Sequence, residues 1–452
     1  MGNDRGRVQS VMIVLYSFVM ALVMTISGPV WLYRIATREG YRKGLSQRLG
    51  RVPVALREFV QGREVVWLHA VSVGEMLAAT RLVTELEAAL GDGFRVVVST
   101  TTRTGKALAE KRFGAERVFY IPLDFAWSMR AYLRVLRPRA VVLMESELWP
   151  RMLYECHRRS VPVAVVNARV SDRSFRRALW VPAVWTRTLR KISLWMTQTE
   201  EDARRLAVMG VSAEKVRVGG NLKYDVRAPK ESRVAETIRA VAAGRPIVVA
   251  GSTVARINDK ELSEDEMVVK AWEGQARREN GAMLVLAPRH PERFGEVETA
   301  AGKFRLIKAG DFGAPDQGIQ SDRSGVVEMV LLNTIGDLAA VYGVADVAFV
   351  GGSVVPRGGH NPLEPAQFGV PVVMGPSYEN FRDIVGKMVD ADGIRIVQDK
   401  VELEHALGEL LTNRETARAM GERGRQVFER QQGATGRCVA AVVEMLHAGV
   451  AG

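Results

Sequence analysis

The feature that most constrains this chain is a repeated alternation of short apolar runs with helix-patterned stretches. EVVWLHA, FRVVVST, RVFYIPL, RAVVLM and VPVAVVNA each read as a short strand buried on both faces. Between them lie helical patterns such as GEMLAATRLVTELEAAL and WSMRAYLRVL. Strand and helix in strict alternation predict a parallel sheet covered on both sides. The alternation pauses between Tyr224 and Arg245 and resumes with PIVVAGS, AMLVLAP, VVEMVLL, VAFVGGS and PVVMG. A chain of 452 residues exceeds one ordinary core. The pattern therefore predicts two doubly wound, Rossmann-like α/β domains facing across a cleft: a basic one over residues 34–230 and a second over 231–452. A last helix from about Asn413 to His447 is free to brace the first domain.

Residues 1–33 form a third region. From Val8 to Tyr33 there is no charged residue, and VMIVLYSFVMALVMTI is densely apolar. Such a length can span a bilayer core, which needs about 20 residues. Arg34, Arg38, Arg42, Lys43 and Arg48 follow it, outnumbering Arg5 and Arg7 before it. The positive-inside rule then predicts a single N-terminal anchor in the inner membrane, with the bulk of the protein in the cytoplasm. The two cysteines, Cys156 and Cys438, are far apart and read as free thiols.

Charge divides the molecule. Residues 34–240 carry 38 Lys and Arg against 21 Asp and Glu, a net of +17, while residues 241–452 are net −6. A basic half suits an anionic membrane surface or an anionic substrate. Nucleic acid is not expected, because the chain has no zinc-finger spacing, aromatic β-platform or basic-heptad motif. No metal site is expected either: the six histidines are scattered without H-E-x-x-H or Cys/His clustering.

In doubly wound sheets ligands bind beyond the carboxyl ends of the strands. In VGGSVVPRGGHNPLEP, Asn361 reads as an N-cap, Pro362 as the first helical residue, Leu363 as the next and Glu364 as the third. A capping box explains those residues. Gly351, Gly352, Gly358 and Gly359 are read instead as letting backbone N–H groups approach a phosphate, with Glu364 placed for a ribose. Pro288 and Arg289 end LVLAP, where a guanidinium can fork onto an anion. GST (Gly251 to Thr253) and the loop Ile335, Gly336 and Asp337 are two further strand ends of that half. In the first half, Glu75 opens a helix after VVWLHA, as a dipole-stabilised carboxylate or a general base. Glu145 and Glu147 end an apolar strand. Lys223, in GNLKYD, is able to offset charge on a leaving group.

WLHAVSVGE, ESELWP, NARVS, GNLKYD, AGST, PRHPERF, DVAFVGGS and GGHNPLEPA together resemble one family: the 3-deoxy-D-manno-octulosonate (Kdo) transferases of lipid A biosynthesis. The blocks run in family order from about residue 34 to 390. The resemblance implies a GT-B fold and transfer of Kdo from CMP-Kdo to a lipid A precursor, with inversion and without a metal. It implies a general base at Glu75 and transition-state assistance from Glu145 and Lys223. The CMP-binding segments would be Pro288–Arg289, Ile335–Asp337 and Asn361–Glu364. This chain departs from the family where Val254 begins an insertion after GST, where Asp337 replaces a Glu and where Gln47 replaces a Glu. Two alternatives remain: a GT-B enzyme using another nucleotide sugar (a UDP-sugar transferase or epimerase), or a non-catalytic module binding anionic lipid at the membrane.

Overall fold

The computed structural model describes residues 2–37, 44–225, 232–258, 262–312 and 326–448. The chain forms two compact units, Met1–Val226 with Gln432–Gly452, and Arg227–Gln431.

The first unit is built on a seven-stranded parallel sheet. Its strands are β1 (Glu64–His69), β2 (Phe94–Thr100), β3 (Val118–Tyr120), β4 (Ala140–Met144), β5 (Val163–Ala168), β6 (Leu194–Thr197) and β7 (Val216–Val218). They lie in the order β3-β2-β1-β4-β5-β6-β7. The sequence runs sideways from β1 in both directions, so the β1–β4 pair is where the strand order reverses. Val66 faces Ala140 there and His69 faces Leu143. The β-branched and aliphatic runs fill both faces of the sheet. Trp67, Trp195 and Tyr132 pack on one side, and Leu82, Leu86 and Val442 on the other.

The second unit repeats the plan. Its strands are β8 (Ile247–Thr253), β9 (Met283–Pro288), β10 (Leu306–Lys308), β11 (Met329–Leu331), β12 (Val347–Val350), β13 (Val372–Met374) and β14 (Ile394–Ile396), in the order β10-β11-β9-β8-β12-β13-β14. Here the order reverses between β8 and β12, where Gly251 faces Val350.

Helix α1 (Gly2–Thr37) precedes the first sheet. Ile13 on it is buried, and the Tyr16 hydroxyl donates to Asp124 Oδ2 at 3.0 Å. Farther along, Phe18, Ile26 and Tyr33 are exposed. Among the described residues no helix is long and apolar enough to cross a membrane, so the anchor expected over residues 1–33 is not found as such.

The expected domain of 231–452 changes at its far end. The long last helix is two helices, Arg414–Gln431 and Ala434–Ala448, broken at Gly433, whose φ of 84° is left-handed. The second of them packs in the first unit, where Cys438 and Val442 join the β1-side core. The expected break at residue 230 falls within 226–231, outside the described residues. Cys156 and Cys438 are both free and buried.

Candidate active site

Each unit presents its chemistry at the strand ends where the order reverses. In the first unit β1 runs into Ser72, the N-cap of helix α2 (Val73–Leu90), with Glu75 at the third helical position. Ser72 Oγ accepts the Glu75 N–H, and the Glu75 carboxylate accepts from Val71 N (2.9 Å), Ser72 N (3.3 Å) and Ser72 Oγ (2.8 Å). The capping role is real, and it holds a carboxylate that is only 7% exposed at the mouth of the sheet.

Beside it, β4 ends at Met144 and the backbone turns sharply. Glu145 has a φ of 55°, a left-handed conformation unusual for a residue with a side chain. Its Oε1 lies 3.1 Å from Lys223 Nζ. Glu147 sits close enough that burial first, and then the charges of Glu75 and Glu145, raise its carboxyl above the ordinary range. Glu75, Glu145, Glu147 and Lys223, taken from three separated segments, are thus gathered at the β1–β4 end of the sheet.

Lys223 is held from three sides. Leu222 N donates to Asn167 Oδ1 at 3.0 Å, and Asn167 itself has a left-handed φ of 56° at the end of β5. Lys223 N donates to Asn221 Oδ1 at 3.0 Å, and Asn221 Nδ2 donates to Gln198 Oε1 at 3.0 Å. Asp225 accepts from Gly433 N at 2.7 Å and from Thr435 N, so one buried carboxylate ties the lysine loop to the start of the final helix. Replacing Asp225 by Asn is expected to cost about 1–2 kcal/mol through the lost cap. It should also lower turnover more than donor affinity, because what it loosens is Lys223. Unchanged kinetics in a variant with a lowered melting temperature would sink the second part.

Sequence reasoning did not single out Asn167, Asp225 or His69. The last is buried against Ser99, with Nδ1 at 2.9 Å from Ser99 Oγ and its ring edge-on to Trp149 at 5.8 Å. Burial drops its pKa to about 4, so it is neutral in the fold. A histidine whose folded pKa lies below its usual 6.5 binds fewer protons folded than unfolded. Its contribution is therefore fully present above about pH 6.5 and is lost as pH falls toward 4. That amounts to on the order of 3 kcal/mol. Denaturant titrations across pH 4–7 should show this slope, reduced in His69→Gln; an equal slope in both would exclude His69 as its source.

In the second unit the glycine-rich stretch holds an anion, and that anion belongs to the chain. Helix α3 (Glu264–Ala271) begins with a buried glutamate. Glu264 Oε1 accepts from Ser353 N (2.8 Å), Val354 N (2.9 Å) and Val355 N (3.2 Å), and Oε2 from Gly352 N (2.6 Å) and Val254 N (3.1 Å). The amides expected to cradle a phosphate at Gly351–Ser353 are therefore occupied. The glycines serve close packing of the chain on itself. A Cβ at Gly351 would stand 2.6 Å from the Ser252 carbonyl, and Gly359, at φ 72°, lies against Ser377.

The groups left to face a ligand are those after Arg357 and at the neighbouring strand ends. The short helix α4 (Leu363–Ala366) starts one residue later than expected, with Pro362 at its cap. Asn361 Oδ1 accepts from Leu363 N at 3.1 Å. Glu364 does not close a capping box. Burial raises its carboxyl, opposed by Arg289 and by a hydrogen bond with Asn361. Arg289 follows Pro288, the last residue of β9, and is exposed; its backbone N–H donates to Thr253 O at 2.9 Å. His360 is pushed down to about 4 by burial, then by Arg289 and His290. Arg289, His360, Asn361 and Glu364 thus share one locality. Of the third expected segment, Ile335 is 87% exposed and Gly336 has a φ of 100°. Asp337 precedes the short helix Leu338–Val341, whose Leu338, with Tyr342, crowds Gly251. Among the described residues no cluster of His, Cys, Asp or Glu is arranged to hold a metal.

Comparisons with known proteins identify the family. Residues 43–226 match the family model described as 3-deoxy-D-manno-octulosonic-acid transferase (kdotransferase). The chain is 33% identical to 3-deoxy-D-manno-octulosonic acid transferase of Haemophilus influenzae over 404 residues, 88% of this chain and 90% of the relative. It is 34% identical to the enzyme of the same name from Bordetella pertussis, over 92% and 96% of the two chains. The chain belongs to this family. It is a Kdo glycosyltransferase. Among solved structures, UDP-GlcNAc 2-epimerase from Neisseria meningitidis superposes with a TM-score of 0.55 at 11% identity, covering 85% of this chain and all of that one. That likeness concerns the fold alone: two parallel-sheet α/β domains of the GT-B kind.

Proposed function

We propose that this Kdo transferase takes Kdo from CMP-Kdo and places it on a lipid A precursor with inversion, using Glu75 as general base. The observation that carries this reading is the gathering of Glu75, Glu145, Glu147 and Lys223 at the β1–β4 reversal. In the step, Glu75 takes the proton of an acceptor hydroxyl as its oxygen bonds to the anomeric carbon of Kdo. The bond from that carbon to the phosphate oxygen breaks, and CMP leaves with the electron pair. Lys223, held on Glu145, offsets negative charge as it develops. In the second unit Arg289 suits the phosphate and Glu364 the ribose hydroxyls, with Pro288, Asn361, Pro362 and Leu363 shaping that wall and Ile335, Gly336 and Asp337 the adjoining one. The cationic groups already at hand support a reaction independent of metal, expected to survive EDTA.

The uncharged run from Val8 to Tyr33, followed by five basic residues, supports a single inner-membrane anchor with the catalytic units in the cytoplasm. A basic first unit beside an anionic bilayer suits a phosphorylated glycolipid acceptor. The direct test is mass spectrometry of a tetraacylated lipid A precursor incubated with the solubilised protein and freshly generated CMP-Kdo. Mass increments of one or more Kdo units are expected. An unshifted acceptor with intact donor and folded protein would overturn the assignment of donor or acceptor.

A further inference from the structure

The segment after β5 leaves a tryptophan in water. The helix Asp172–Trp180 is capped by Ser171, whose side chain accepts the Ser174 N–H. Phe175 and Ala178 turn inward onto the core of the first unit. Helical spacing puts Arg173, Arg176, Arg177 and Trp180 on the opposite, exposed face. The helix stops at Val181, and a second one, Pro182–Leu189, runs back to a buried Leu189. At the bend Leu179 is 46% exposed, Trp180 85% and Val181 52%. Over residues 169–191 seven basic residues stand against one acid, Asp172. That acid is engaged by Arg205, 2.6 Å away.

An exposed indole flanked by aliphatic side chains and ringed by guanidinium groups has the chemistry of an interfacial lipid contact. The ring sits at headgroup depth, and the arginines meet phosphates. We propose that this bend docks on an anionic bilayer surface, with Leu179, Trp180 and Val181 among the headgroups and Arg173, Arg176 and Arg177 pairing with lipid phosphates. The proposal rests on the reading above that the acceptor is a membrane lipid, and it deepens that reading by giving the first unit its own seat on the membrane. The placement fits. The helix leading to the bend starts after β5, at the same end of the sheet as Glu75, Glu145 and Glu147, and the hydroxyl of Ser146, between Glu145 and Glu147, donates to the Arg169 carbonyl ahead of that helix.

The test uses the full chain in nanodiscs containing shallow brominated lipid, with Trp180→Phe as the blank for the other tryptophans. In discs rich in phosphatidylglycerol, the Trp180 emission should shift to the blue and be quenched; in phosphatidylcholine discs it should not. Water-like, unquenched emission in anionic discs overturns the docking, and equal quenching in both overturns the role of charge. Because fluorescence needs no turnover, this outcome is independent of whether the donor and acceptor are correctly assigned. With an active preparation, Leu179→Ser/Trp180→Ser should raise KM for acceptor embedded in anionic vesicles several-fold, leave kcat unchanged, and leave both unchanged for acceptor in detergent micelles. An equal loss in micelles would mean a fold defect and not a docking surface.

Discussion

Glu75→Gln is expected to lower kcat for Kdo transfer by about 10²–10⁴-fold while the protein stays folded and the donor still binds. The side-chain oxygen of Gln can still accept from Val71 or Ser72, so the start of the helix survives. What is lost is the ability to take a proton. Single-turnover kinetics, calorimetry with CMP and a melting curve separate these effects. Normal turnover would sink the assignment of the base, whereas lost folding would show that capping is the residue's main duty. Removing the Glu75 charge should also let the Glu147 carboxyl fall toward its ordinary range, since that charge is one of the influences raising it.

Glu264→Ala is expected to be the most damaging substitution in the second unit. Five backbone N–H groups converge on this one carboxylate. Truncation strands them in a buried place, at a cost on the order of 4 kcal/mol. Glu264→Gln should be nearly as harmful, because an amide turns an NH₂ toward donors that need acceptors. Thermal unfolding and hydrogen exchange over residues 350–358 would measure this. A Gln variant within about half a kcal/mol of the parent would show that the loop holds its shape without the charge.

The central strands of both sheets are plain in the sequence, because burial on both faces demands unbroken apolar runs such as VVWL and VAVV. Short edge strands such as Val216–Val218 and Ile394–Ile396 leave no such mark. They need only three residues and one neighbour. At the site, Glu75 was legible because a carboxylate at the start of a helix after an apolar strand is a local pattern; Ser72, which caps that helix, was not singled out. Nor was Glu264. Four of its five partners, Gly352 to Val355, lie some ninety positions away, so the glycines around Gly352 read as a place for a foreign anion when the chain supplies its own. The support of Lys223 was hidden for a similar reason: Asn167 and Gln198 reach its loop from distant positions, and Asp225 ties that loop to Gly433 and Thr435 far along the chain.

The return of the final helix to the first unit sets an order of assembly during synthesis. Asp225 is made early, but the Gly433 and Thr435 amides it holds emerge only after the whole second unit. The second unit, continuous from Arg227 to Gln431, can close as soon as it leaves the ribosome. The first must wait with one flank of its sheet uncovered until the last residues arrive. A nascent chain paused near residue 430 should therefore carry a finished second unit and an unfinished first one.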